Sequence, residues 1–246
     1  MELKITNSSE FVNGFIGGLA RISDTGIIKL SNKKFSCITA TSDNTIVVNS
    51  EYIDDTLPEE LNLTLNIPDF KKLQKLLSIL PSNFVLNIDS NSIGYNSEGT
   101  RFKFHLYEEG IISSPALNVG KINSIPFDYK FHVLTEDIRW LMKSSFLLPD
   151  ITKVYFNFTD TKVHGEITDK SRHNVDSYTK LLCDNAEVIG ELITRSVPIN
   201  IEILRLLTAV SYESLLVRYS KNLSILTFDI KQTNLHMKYI VSGLIN

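Results

Sequence analysis

Only two cysteines are present, Cys37 and Cys183, far apart and in strand-like surroundings. A disulfide framework is therefore not what organises this chain, and two semi-buried thiols are the expectation. No apolar run approaches the roughly 18–20 residues needed to cross a bilayer, so no membrane span is expected. The opening Met1-Glu2-Leu3-Lys4-Ile5 lacks the basic-then-apolar order of a secretory signal, and a cytoplasmic protein is the expectation. Catalytic signatures are missing too: there is no GxGxxG, Walker or GxSxG pattern. His105, His132, His164, His173 and His236 are scattered without the close spacing of a metal pair. The carboxylate pairs Asp54-Asp55 and Glu59-Glu60 read as solvated loop charges. No enzyme activity, cofactor or metal is expected. An excess of positive charge is absent as well. The formal net charge is −3, which speaks against a simple basic nucleic-acid module and leaves charge distribution to decide.

What the chain does have is an ordinary globular composition, 43% hydrophobic and 22% charged over 246 residues, enough for two modest cores. Four segments carry apolar residues at helical spacing. The first starts near Ser8 and runs through Phe11, Val12, Phe15, Ile16 and Leu19. The second follows Pro68 with Phe70, Leu73, Leu76, Leu77 and Leu80. The third follows Thr135 with Ile138, Leu141 and Met142, and the fourth follows Pro198 with Ile201, Leu204, Leu207 and Val210. Ser8 or Ser9, Pro68 and Thr135 supply helix-start chemistry. The starts recur about every 60–67 residues, the mark of an internal repeat. A strand-like stretch precedes each helix, at 3–5, 61–65, 129–133 and 192–195. Alternating strands with short turns follow the second, third and fourth, at 84–107, 154–182 and 215–241. Residues 108–126 contain Gly, Pro and Ser without sustained period and read as a linker between domains 1–107 and 127–246.

This order, number and spacing of elements resembles the trimeric DNA sliding clamps, most closely those of tailed bacteriophages, with the PCNA rings as more distant relatives. The stretches that carry the likeness are 61–80, with Ile67-Pro68-Asp69-Phe70 leading into the leucines, then 126–142 followed by 153–182, and the closing strands 214–241. The resemblance implies an α+β DNA-clamp fold: two similar domains, each of two strand–helix–strands repeats, with three subunits closing head to tail into a ring around duplex DNA. It implies a homotrimer whose partners are double-stranded DNA, a DNA polymerase and a clamp loader, in a host cytoplasm if the source is a virus. The subunit edge would pair 101–107 with 174–182 of a neighbour, involving Arg101, Phe102, Phe104, Val175, Tyr178 and Lys180. In the family, partners insert a short hydrophobic peptide between linker and C-terminal domain. The matching positions are Ile111, Ile112, Pro115, Leu117, Val119, Val241 and Leu244. Packing of the linker on its own domains is the alternative use of those apolar residues.

The helices themselves test the idea of a DNA channel. Lys71, Lys75 and Ser78 recur at i, i+4, i+7 opposite Leu73, Leu77 and Leu80, with Lys72 beside them. Arg139 and Lys143 lie one turn apart, away from Ile138 and Leu141. Arg205 opposes Leu204 and Leu207, and Arg21 follows the first helix. Glu136, Asp137 and Glu202 fall in first turns, where they complement the helix dipole. Each lysine alone reads as a solvated face. Recurrence on three helices points instead to a surface that attracts phosphates without reading bases. Gly14, Gly17 and Gly18 leave the first helix open to two readings, close packing or a break. Two other functions fit the same pattern: a monomeric or dimeric viral processivity factor of this fold, or a structural β-rich virion protein.

Overall fold

The computed structural model describes residues 1–246 apart from His173, Asn174, Glu213, Ile245 and Asn246, and apart from the side chain of Val119. The chain divides into two compact units. Unit 1 comprises Met1–Ser42, Val48–Val119 and Lys231–Met237; unit 2 comprises Asp43–Val47, Gly120–Ile230 and Lys238–Asn246.

Unit 1 opens with strand β1 (Glu2–Ile5), then a helical segment that begins as a π-helix over Ser9–Ile16 and tightens into α1 (Gly17–Ala20). The three glycines have a packing reason. A Cβ on Gly14 would sit 2.6 Å from Leu235 Cδ2, one on Gly17 2.6 Å from Gln74 Nε2, and one on Gly18 2.5 Å from Met237 Cε. The segment is therefore both irregular and closely packed. Neither Ser8 nor Ser9 provides the side-chain cap expected there; Asn7 Oδ1 accepts the Glu10 amide at 3.3 Å instead.

Three strands follow that the hydrophobic pattern alone did not single out: β2 (Gly26–Ser31), β3 (Lys34–Ala40) and β4 (Ile46–Ile53). Asn32 and Lys33 join β2 to β3 with φ of 51° and 59°. Positive φ at both central residues is the two-residue hairpin geometry that matches strand twist, and asparagine tolerates it well. Next come β5 (Leu63–Ile67), α2 (Phe70–Ser78), β6 (Phe84–Asp89), β7 (Ser92–Ser97) and β8 (Thr100–His105). Pro68 does not begin α2. Asp69 caps it, in extended conformation, with its carboxylate accepting the Lys72 amide at 2.8 Å.

A short helix α3 (Val119–Asn123) lies within the stretch read as linker, with Ile122 buried. Unit 2 then runs through β9 (Tyr129–Leu134), α4 (Thr135–Ser145), β10 (Lys153–Thr159), β11 (Lys162–Ile167), β12 (Tyr178–Cys183), the two-residue β13 (Glu187–Val188), β14 (Thr194–Asn200), α5 (Glu202–Thr208), β15 (Ser214–Ser220), β16 (Ile225–Lys231) and β17 (Leu235–Ser242). Thr135 is the first residue of α4 rather than its cap, and its hydroxyl donates to the carbonyl of Tyr212. Pro198 lies inside β14, opposite Tyr155. It is tolerated because β14 ends its sheet, where a missing N–H breaks no ladder.

The chain therefore repeats strand–helix–three strands four times, with β13 as an addition. Sheet order adds a rule that recurs in both units. The leading strand of each repeat joins the three strands of the other repeat in its unit. In unit 1 the orders are β1-β6-β7-β8 and β5-β2-β3-β4; in unit 2 they are β14-β10-β11-β12 and β9-β15-β16-β17, with β13 beyond β9. Leu3 lies opposite Leu86 and Lys29 opposite Thr64, both in antiparallel pairs. Each unit has an aromatic core. Phe11, Phe15, Phe35 and Tyr52 lie 5.1–6.3 Å apart between ring centroids in unit 1. In unit 2, Phe158 packs against Tyr129, Phe131 and Tyr219 at 4.6–6.2 Å. Such pairs contribute about 0.5–1.5 kcal/mol each beyond simple burial.

Candidate nucleic-acid interface

The helices pack in pairs, α2 beside the first helical segment in unit 1 and α4 beside α5 in unit 2, with α4 lying on β9, β11 and β12. Their apolar residues face inward. Phe70, Leu73 and Leu77 of α2, Ile138 and Leu141 of α4, and Ile203, Leu204, Leu206 and Leu207 of α5 are all buried. Helix α4 approaches its sheet closely at Gly165, where a Cβ would meet Leu141 Cδ1 at 2.6 Å. With one side of each helix fixed this way, the residues opposite it must face solvent. Lys71, Lys72, Lys75, Arg139, Lys143 and Arg205 are all exposed, as is Arg21 at the end of α1.

These cations are not equivalent. Lys71 Nζ lies 2.8 Å from Asp24 Oδ1, and Arg205 Nη1 lies 3.0 Å from Glu202 Oε2. The hydrogen bond to the Asp24 carboxylate raises the Lys71 pKa above its ordinary value, so the ammonium stays charged but locally neutralised. Arg21, Lys72, Lys75, Arg139 and Lys143 make no ion pair among the described residues. Arg21 and Lys71, distant in sequence, line one polar cavity of about 380 Å³ with Ser23, Asp24, Thr25 and Ser42. The sequence offered a sign of the Glu202–Arg205 pair in its i, i+3 spacing. It offered none for Asp24, which reaches Lys71 because the Phe70 amide donates to the Asp24 carbonyl at 2.7 Å and ties that loop to the start of α2.

The strands named as subunit edges are terminal in their sheets: β8 ends one sheet of unit 1 and β12 one sheet of unit 2. Arg101 is exposed, Phe102 is half-buried and stacks on Tyr95 at 6.0 Å, and Phe104 is buried. Tyr178 and Lys180 are half-buried in β12, and Lys180 pairs with Asp137 at 3.2 Å. Val175 precedes the strand, and Asn174 lies outside the described residues.

The apolar positions assigned to partner docking separate. Ile111 is 58% exposed, whereas Ile112, Pro115 and Leu117 are half-buried. Ser114, Pro115, Leu117 and Asn118 close over β2, β3 and β4 and leave a cavity of about 300 Å³ whose other walls include Ile27, Lys29, Ile38 and Asn49. The linker thus packs on unit 1 without filling the space beneath it. Cys37 also lines this cavity; burial pushes its thiol up to about 12. Val119 opens α3, and its side chain lies outside the described residues. Val241 is buried in β17, and Leu244 is half-buried with its amide donating to Pro198 at 2.7 Å. Among the described residues no His, Cys, Asp and Glu side chains gather into a metal-binding group, and no helix is long and apolar enough to cross a membrane.

Four strand–helix–three-strand repeats with exchanged leading strands define the sliding-clamp fold, and this chain has that fold in its PCNA-like form. Among solved structures, PCNA of A. fulgidus, determined with the C-terminal region of FEN-1 bound, matches at a TM-score of 0.78 and 12% identity over 100% of this chain and 98% of that one. PCNA of Thermococcus kodakaraensis matches at 0.77 and 16% identity, covering 99% of each chain. That of Entamoeba histolytica matches at 0.76 and 12% identity, covering 99% of this chain and 98% of that one. No protein-family profile matches the sequence, and no curated protein does.

Proposed function

We propose that this protein is a DNA sliding clamp, a processivity factor without chemistry of its own that encircles duplex DNA and tethers a polymerase. The observation that carries the reading is the coincidence of a whole-chain clamp fold with exposed cations on α2, α4 and α5, the helices whose opposite faces are buried. Lys71, Lys72, Lys75, Arg139, Lys143, Arg205 and Arg21 are its phosphate-facing residues. A net charge of −3 is compatible with this role, because a closed ring is held by topology and its contacts need only be weak, non-specific and exchangeable.

Three copies would close the ring, by pairing of β8 with β12 of a neighbour. In support, both strands end their sheets, and pairing them would remove two exposed edges. A complex of two PCNA chains, PCNA2 and PCNA3 of Sulfolobus tokodaii, is among the solved structures of the same fold, at a TM-score of 0.71 and 11% identity over 99% of each chain. Polymerase and loader would dock on the linker face around Ile111, Ile112, Pro115, Leu117 and Val119, with Val241 and Leu244 as the further positions of the same reading; the A. fulgidus PCNA of the same fold was determined with the C-terminal region of FEN-1 bound. A bacteriophage source and a host-cell cytoplasm belong to the same reading. The deciding experiment loads the protein onto circular duplex DNA and then linearises it. Retention on the circle and loss from the linear form, with a light-scattering mass near three chains, is the expected result. Equal retention on both forms, or a strict monomer, refutes encirclement.

A further inference from the structure

The exposed side of α4 carries an aromatic residue within the helix that the exposed side of α2 lacks. On α2 the residues facing solvent are Lys71, Lys72, Lys75 and Ser78, with Ile79, 70% exposed, just past its end. On α4 the exposed residues, at spacings of three and four, are Glu136, Arg139, Trp140 and Lys143, with Phe146 and Leu147 just past its end. Trp140 is 37% exposed, Phe146 66% and Leu147 62%. A face that only tracks phosphates has no use for these side chains, and leaving three large apolar groups together in water needs a reason.

We propose that this stripe binds unpaired nucleotides, with the Trp140 indole as a stacking platform for a nucleobase and Arg139 and Lys143 holding the adjoining phosphates. The inference rests on the nucleic-acid part of the clamp reading and adds single-stranded nucleic acid as a ligand class. Charge complementarity selects the occupant. Arg139 and Lys143 lie within one turn on either side of Trp140, and neither is ion-paired among the described residues. Of the acidic residues on α4, Asp137 is engaged by Lys180 at 3.2 Å, and Glu136 lies one turn toward the N-terminus, away from Phe146. The face therefore grows more cationic and more apolar toward its C-terminal end. A duplex offers phosphates and base edges but no free π-face to an indole, whereas an unpaired base offers one, and aromatic–base stacking with neighbouring cations is how single strands are held without sequence preference.

Trp140 is the sole tryptophan of the chain, so its emission reports on this stripe alone. The experiment titrates the full-length protein with an oligo-dT of about 12 nucleotides and, separately, with a duplex of equal length. Saturable quenching by oligo-dT that weakens with salt, and markedly less quenching by duplex, is the expected result. Anisotropy of labelled oligo-dT should show about 5- to 100-fold weaker binding for Trp140→Ala and near-native binding for Trp140→Phe. Unchanged emission with oligo-dT, equal quenching by duplex, or full affinity in Trp140→Ala overturns the proposal. Trp140→Ala should still be retained on circular duplex. A wild-type protein that is retained on circular duplex but does not bind oligo-dT sinks this inference alone, whereas failure of the wild-type protein to be retained sinks the clamp reading.

Discussion

Neutralising Lys72 and Lys75 together should change the salt dependence of duplex binding far more, per charge, than neutralising Lys71. Each lysine that meets a phosphate on B-DNA releases condensed counterions, and contributes about 0.9 to the slope of log K against log salt. Lys72 and Lys75 are exposed and carry no ion pair, so Lys72→Ala/Lys75→Ala should flatten the slope by about 1.8. Lys71 already lies 2.8 Å from Asp24. To reach a phosphate it must leave that carboxylate, which then recruits a cation from solution and cancels much of the release. Lys71→Ala should therefore cost clearly less than about 0.9 in slope, and Asp24→Asn should steepen it by up to about 0.9 and tighten binding. Asp24→Asn keeps the carbonyl that accepts the Phe70 amide, so the local fold is retained. The assay is anisotropy of a short labelled duplex over a series of potassium chloride concentrations. A Lys71→Ala slope as flat as that of the double variant, or an Asp24→Asn slope equal to wild type, refutes the reasoning.

Two predictions concern the scaffold. Gly165→Ala puts a Cβ 2.6 Å from Leu141 Cδ1 and 3.1 Å from Leu182 Cδ1, both on buried side chains. Overpacking of that kind costs about 1–3 kcal/mol, more than the roughly 0.5–1 kcal/mol that alanine regains in backbone entropy, so urea unfolding should show a net loss; a stabilised variant would place α4 farther from β11 than the structure does. Burial raises Cys37 from an ordinary 9.0 to about 12, and also raises Tyr52 and Tyr212. The folded state then holds protons that the unfolded chain gives up, so stability is fully present below about pH 9 and falls as pH rises toward 12. Chemical denaturation at stepped alkaline pH checks this, and Cys37→Ser should reduce the slope; a pH-independent midpoint over that range contradicts it.

Helix faces were legible without coordinates because they depend on local spacing. Leu73 and Leu77 had to be buried if Lys71, Lys72 and Lys75 were exposed, and the structure places them so. The recurrence of helix-bearing segments was equally visible, and with it the two-by-two organisation of the fold. Other features escaped for identifiable reasons. The caps at Asn7 and Asp69 compete with equally good neighbours, Ser8 and Pro68, and only backbone conformation chooses between them. Strand β4 buries five successive residues, Ile46–Ser50, and so lacks the apolar–polar alternation by which a half-exposed strand is read.

The sequence by itself determined which cations of α2, α4 and α5 face water, how many repeats there are, and that no familiar catalytic motif is written into them. Tertiary structure alone decided that each leading strand joins the other repeat of its unit, that Asp24 holds Lys71, and that Gly165 admits Leu141. The physical reason is range. Side-chain periodicity is set by neighbours three or four residues away, whereas strand partners, long-range ion pairs and interlayer contacts are chosen among segments that compete across the whole chain.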